Sequence, residues 1–193
     1  MSLNMYLGET DTQVSELNAI CKEIIQSMEE TKTSIASFMF AFSLKGKAYD
    51  SAKSFMAQTY FPLAQGIIYL CEELIHQNEG YPSDFRSEVA LTDVIEQEIL
   101  DQIKVIEGII ARLRALSNTV PLLSVSIAIY EAMKRKLEEK LERLYTFNGT
   151  SASNYEHAID LAGEVAKGLT ELENGKGFNS ASGTFSAEGM DMD

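Results

Sequence analysis

The chain has 193 residues, of which 45% are apolar, enough for a real hydrophobic core in one domain. A formal net charge of −13 excludes a basic face for nucleic acid and disfavours an anionic membrane surface. Only three prolines, no tryptophan and a middle rich in Ala, Leu, Ile, Glu and Lys favour helix.

Met1-Ser2-Leu3-Asn4-Met5-Tyr6 lacks the basic start and apolar block of a secretory signal. No stretch approaches the roughly 18 apolar residues of a spanning helix. The expectation is a chain of the cytoplasm, or one exported without a cleaved signal.

Thr10-Asp11-Thr12-Gln13 reads as a capping box for a first helix over about 11–42. Val14, Leu17, Cys21, Ile24, Met28, Thr31, Ile35 and Phe38 form its heptad seam. Leu44-Lys45-Gly46 interrupts the pattern, and Gly46 can take a left-handed conformation there. A second helix over about 47–78 turns Ala52, Met56, Thr59, Leu63, Ile67, Leu70 and Leu74 inward, with Pro62 bending it. Asn78-Glu79-Gly80-Tyr81-Pro82 predicts a turn.

The third helix, about 83–117, carries Phe85, Val89, Thr92, Ile99, Ile103, Ile106, Ile110 and Leu113 on one stripe. Asn118-Thr119-Val120-Pro121 predicts another turn, before a fourth helix over about 122–147 with Leu123, Ile127, Tyr130, Leu137, Leu141 and Leu144 inward. Asn148-Gly149-Thr150 reads as a turn rather than a glycosylation site. A fifth helix, 154–173, opens on a capping box at Ser153–Glu156 and carries Tyr155, Ile159, Ala162, Leu169 and Leu172. Residues 174–193, rich in Gly and Ser, bury too little to offset their ordering and read as a linker. The expected fold is therefore all-α: an elongated bundle of two long antiparallel hairpins, 11–78 and 83–147, with 154–173 packed alongside.

Catalytic constellations are missing from this pattern. Glu73-Leu74-Ile75-His76 has the Glu-x-x-His spacing of di-iron bundles, but no second copy accompanies it, since Asn154 stands three residues before His157. No metal or other cofactor is expected. Lys134-Arg135-Lys136 is flanked by Glu131, Glu138, Glu139 and Glu142, a salt-laced exposed face rather than a nucleic-acid patch. Gly175-Lys176-Gly177 lacks the setting of a phosphate loop. Cys21 and Cys71 are equidistant from Gly46, which places them at one height on facing helices as small buried thiols.

Leu44-Lys45-Gly46-Lys47-Ala48-Tyr49-Asp50-Ser51-Ala52, at a hairpin tip between two long helices, resembles the Leu-x-Gly-x-Ala-Tyr-x-x-Ala signature of LXG domains. These are relatives of the small Trp-x-Gly secreted proteins. The helical length and the Gly/Ser-rich end are similar too. The resemblance implies a non-catalytic N-terminal domain, 1–173, of a bacterial polymorphic toxin used against competitors. The toxic activity would lie in a C-terminal domain beyond the 174–193 linker. It implies export by type VII secretion without a cleaved signal peptide, from the cytoplasm. The implied partners are small helical Trp-x-Gly-type proteins and the membrane ATPase of that system.

Leu44 and Gly46 are the expected tip motif. Phe55, Tyr60, Phe61 and Ile68, with Ile20, Ile25, Phe40, Phe42, Tyr49 and Tyr69, lie off the seam: either the second hairpin covers part of this excess, or they are the candidate partner face. The Tyr-x-x-x-Asp/Glu export pattern is met only by Tyr69 and Glu73, inside the second helix, where Tyr69 reads as a packing residue. The export signal would then come from a partner chain. The other reading is a self-contained cytoplasmic helical scaffold or antitoxin-like binding protein. The natural gene separates the two readings: a further domain encoded beyond Asp193 favours the first, a stop codon the second.

Overall fold

A computed structural model describes residues 2–117, 123–174 and 177–190. The protein is all-α. Helices α1 (Leu7–Met39), α2 (Lys47–Gln58), α3 (Tyr60–Glu88), α4 (Glu96–Ser117), α5 (Leu123–Ser151) and α6 (Glu156–Glu173) carry it. Two-residue strands β1 (Asn4–Met5), β2 (Val94–Ile95), β3 (Phe178–Asn179) and β4 (Thr184–Phe185) form two small antiparallel pairs, β1 with β2 and β3 with β4. The turn expected at Asn118–Pro121 lies outside the described residues.

The chain forms two compact units, one of Met1–Gln13 with Glu79–Ser153, the other of Val14–Asn78 with Asn154–Asp193. In the first, Phe85, Val89, Val94, Ile99, Leu141, Leu144 and Phe147 bury a core with Met5 and Leu7. The Phe147 ring meets Tyr81 and Phe85 at 5.3 and 5.2 Å. Helices α4 and α5 run antiparallel, joined by Arg114–Glu131 and Lys134–Glu107. Lys134 therefore lies on a salt-laced face, as its glutamates suggested, but Glu131 pairs across the helices with Arg114.

Several boundaries differ from the expectation. Thr10 is inside α1, not its cap: the Leu7 N–H donates to the Asp93 carboxylate, 2.8 Å away, so a residue remote in sequence caps the helix. Asn78–Pro82 is no turn. Helix α3 continues through it, with Pro82 in its interior, because packing of the buried Phe85 ring and the half-buried Tyr81 ring outweighs one lost backbone bond. The break near Pro62 falls at Thr59, whose φ of −125° and ψ of −72° end α2, while Pro62 sits in the first turn of α3, where its missing N–H costs little. The Val89–Thr92 stretch expected in one long helix separates α3 from α4. Asn148-Gly149-Thr150 is helical, and α6 starts without a side-chain cap, the Ser153 hydroxyl turning back to the Thr150 carbonyl.

In the second unit α1 and α3 are antiparallel: Asn18 meets Asn78, and Lys32 meets Gln65. The buried stripe of α1 is Val14, Asn18, Cys21, Ile25, Met28, Lys32 and Ile35, so alternate seam positions lie one residue beyond the apolar reading. Asn78 donates to Asn18 at 3.0 Å and accepts from the Tyr155 hydroxyl at 2.9 Å, which satisfies the buried amides. Lys32 buries its stem, bonds Gln65 at 2.6 Å and lies 5.4 Å from the Phe61 ring centre. Leu17, Ile20 and Ile24 are consequently exposed.

Helix α6 likewise faces inward through Ala158, Leu161, Val165 and Gly168, not through Ile159 and Leu169, which are exposed. Gly66 of α3 faces Val165 of α6: a Cβ there would lie 3.5 Å from the Val165 side chain, an ordinary packing distance.

Candidate docking region at the glycine turn

The turn between α1 and α2 is built by short backbone bonds and one lysine. The Ala41 amide donates to the Phe38 carbonyl, and the Leu44 amide to that of Ala41. Lys53, one of the residues of α2, reaches back to the Ala41 and Leu44 carbonyls at 2.8 and 2.9 Å. Both carbonyls lie in the turn beyond the end of α1, and that of Ala41 also accepts the Leu44 amide. Gly46 has φ 111° and ψ 164°, a conformation essentially reserved for glycine, and its carbonyl accepts the Asp50 amide to start α2. A Cβ placed there would meet nothing within 4 Å, so glycine is required by the backbone alone. Leu44 is half-buried.

The candidate partner residues divide by exposure. Phe40, Phe42 and Tyr49, at and beside the turn, are exposed, Phe42 by 80%. Tyr60, Phe61 and Tyr69 are exposed as well. Ile68 is buried at 3%, and Ile25 is half-buried, so neither belongs to a free face. Phe55 is buried too, under the chain's own C-terminal residues. Periodicity could not separate these two groups, because the real seam of α1 runs through an asparagine and a lysine. An open groove lined by Met28, Tyr60, Leu63, Ile67, Leu169 and Leu172 borders Tyr60.

Tyr69 is exposed rather than packed. Glu73, four residues on, accepts a bond from Gln77 at 2.8 Å and lies 3.5 Å from His157. The Gln77 bond holds its carboxyl below the usual range, against the next-largest effect, burial, and with help from His157 and His76. Cys21 and Cys71 are free and buried. Burial, then the neighbouring Cys21 sulfur, pushes the Cys71 thiol up to about 11. The equal distance of both cysteines from Gly46 predicts this meeting correctly.

Residues 177–190 are structured: β3 pairs with β4, Phe178 opposite Phe185, and the Phe185 amide donates to the Ser51 hydroxyl of α2. Two phenylalanines flanking Asn179 and Gly183 were the available signal for a hairpin.

A long helix α1 running antiparallel to α3, with a turn that requires glycine at Gly46 and exposed aromatic side chains beside it, defines a helical-hairpin protein. The family model described as the LXG domain of the WXG superfamily matches residues 5–114. The chain belongs to that family. It is 52% identical to a protein named Toxin from Bacillus cereus over 195 residues, which cover all of this chain and 36% of the relative. It thus spans about a third of that toxin's length.

Proposed function

We propose that this chain is the non-catalytic, secretion-targeting and partner-binding N-terminal domain of a larger type VII-secreted toxin active between bacteria. The observation that carries the reading is the Leu44–Gly46 turn with exposed aromatics, inside a matched LXG segment and in a chain equivalent to a third of a protein named Toxin. The helical part of the domain would end near residue 173, and the toxic activity would lie beyond 193. Among the described residues no helix is long and apolar enough to cross a membrane. Export from the cytoplasm would proceed without a cleaved signal, through the membrane ATPase of the system.

Small helical partners of the Trp-x-Gly type would dock by an apolar helix face on Phe40, Phe42, Tyr49, Tyr60 and Phe61. Tyr69 and Glu73 are the weaker export-motif candidates, since Glu73 is already engaged. The test is the full-length protein in its natural host carrying Gly46→Val. Secretion is expected to be lost while the purified toxin stays active. Normal secretion of that variant would sink the role given to the turn. A second variant, Phe42→Asp, is expected to lose co-purification with the small helical proteins encoded beside the gene at unchanged helicity.

A further inference from the structure

We infer that α2, the helix that succeeds the glycine turn, is an intramolecular receptor for the chain's own C-terminal hairpin, residues 177–190. This docking fixes the place where the polypeptide leaves the domain.

Ser51 and Phe55 lie one helical turn apart on α2 and meet the hairpin together. The Ser51 hydroxyl accepts the Phe185 amide at 3.0 Å. The Phe55 ring stands 5.7 Å from Phe185 and 6.1 Å from Tyr60, and Phe185 in turn is 4.9 Å from Phe178. Gly177 lies flat against the same ring: a Cβ there would come within 2.4 Å of two Phe55 ring atoms. That ring has little room to retreat between Tyr60 and Phe185.

The hairpin is also organised internally. The Asn179 side-chain oxygen accepts the Ala181 and Ser182 amides, its carbonyl accepts the Gly183 amide, and Gly183 supplies φ 65°. The Ser186 amide closes the hairpin's open end onto the Gly177 carbonyl at 2.8 Å.

The dependence runs both ways. Helix α2 has 12 residues, bounded by Gly46 and by the break at Thr59. A helix of that length is marginal unless its apolar face is covered. The hairpin supplies that cover over Phe55. Chain continuing beyond the hairpin is thereby anchored at the helix that carries Lys47–Ala52 of the motif. The docking does not depend on the export reading and would stand for a self-contained scaffold.

Hydrogen–deuterium exchange on the full chain tests it, with substitutions in the hairpin and the readout in α2. In Gly177→Val and in Phe185→Ser, amides of 47–58 are expected to exchange about tenfold faster or more, with 96–114 unchanged. Reciprocally, Phe55→Ala is expected to open 177–190 to limited proteolysis that the wild type resists. Wild-type exchange of 47–58 in both hairpin variants would overturn the inference, as would a wild-type chain cleaved as readily at 177–190 as the Phe55→Ala variant.

Discussion

At Gly46 the cost of a side chain comes from one source. A Cβ meets no atom, but φ 111° with ψ 164° is a region that L-residues avoid. Gly46→Ala and Gly46→Val are therefore expected to destabilise by similar amounts, ~1–3 kcal/mol each in denaturant titrations. A Gly46→Ala cost near zero would contradict the backbone strain. At Cys71 the thiol is buried and pushed up to about 11, so almost none is thiolate near neutrality. Iodoacetamide at pH 8 is expected to leave Cys71 unlabelled in the folded chain and to label it rapidly in urea. Fast labelling without denaturant would contradict the burial. The sequence placed both cysteines together, since helical pairing about a tip is a matter of counting. It could not give the Gly46 dihedrals, only the residue that tolerates them.

Pairs of elements are held by polar contacts between residues far apart in sequence. Glu96 opens α4 and ties it to β1 and α5: the Tyr145 hydroxyl donates to it at 2.6 Å and the Leu3 amide at 2.7 Å. The Tyr145 bond first, then that amide, hold the Glu96 carboxyl below its ordinary range, and the same bond raises Tyr145. Because the folded Glu96 value is lowered, its contribution is present above the unfolded value near ~4.3 and disappears as pH falls through the folded one. For Tyr145 the sign is opposite, with loss as pH rises through a value above ~10. The stability advantage of wild type over Tyr145→Phe is thus expected to be flat from pH 6 to 8 and to shrink on strong acidification. An advantage that grew below pH 4 would refute the pairing.

The Asn18–Asn78–Tyr155 contacts join α1, α3 and the start of α6. Asn78→Ala removes one partner of the buried Asn18 amide, which is expected to cost about 1–3 kcal/mol. Asn18→Ala on that background should cost much less than alone. Additive losses would show the two amides to be independent. Apolar periodicity misplaced the α1 seam at this point because Asn18 and Lys32 are inward positions that a hydrophobic count passes over.

For the whole molecule the dominant global quantity is the net charge of −13. Self-repulsion of that size weakens the compact state, and salt screens it over a Debye length of about 8 Å at ~0.15 M. Tm is expected to rise between low salt and ~0.15 M sodium chloride at pH 7, because salt screens the mutual repulsion of 29 acidic groups set against 16 basic ones. A fall over that range would mean that ion pairs such as Lys134–Glu107 outweigh the repulsion. Circular dichroism is expected to be dominated by helix, with at most a trace of strand from the two short pairs.

The sequence by itself determined the all-α class, the glycine turn between the first two helices, the stripes of α4 and α5, the meeting of Cys21 with Cys71 and the LXG family. Each comes from local or counted properties: helix propensity, heptad spacing, and a glycine at an interruption. Tertiary structure alone decided the rest. Asp93 caps a helix that begins 86 residues earlier, Tyr81 and Phe85 carry α3 through Pro82, and α6 packs on α3 through a face other than its most apolar one. A tail that composition reads as a linker folds because Ser51 and Phe55 are there to receive it. Such contacts depend on which distant side chain arrives at a position, and no window along the chain holds both partners.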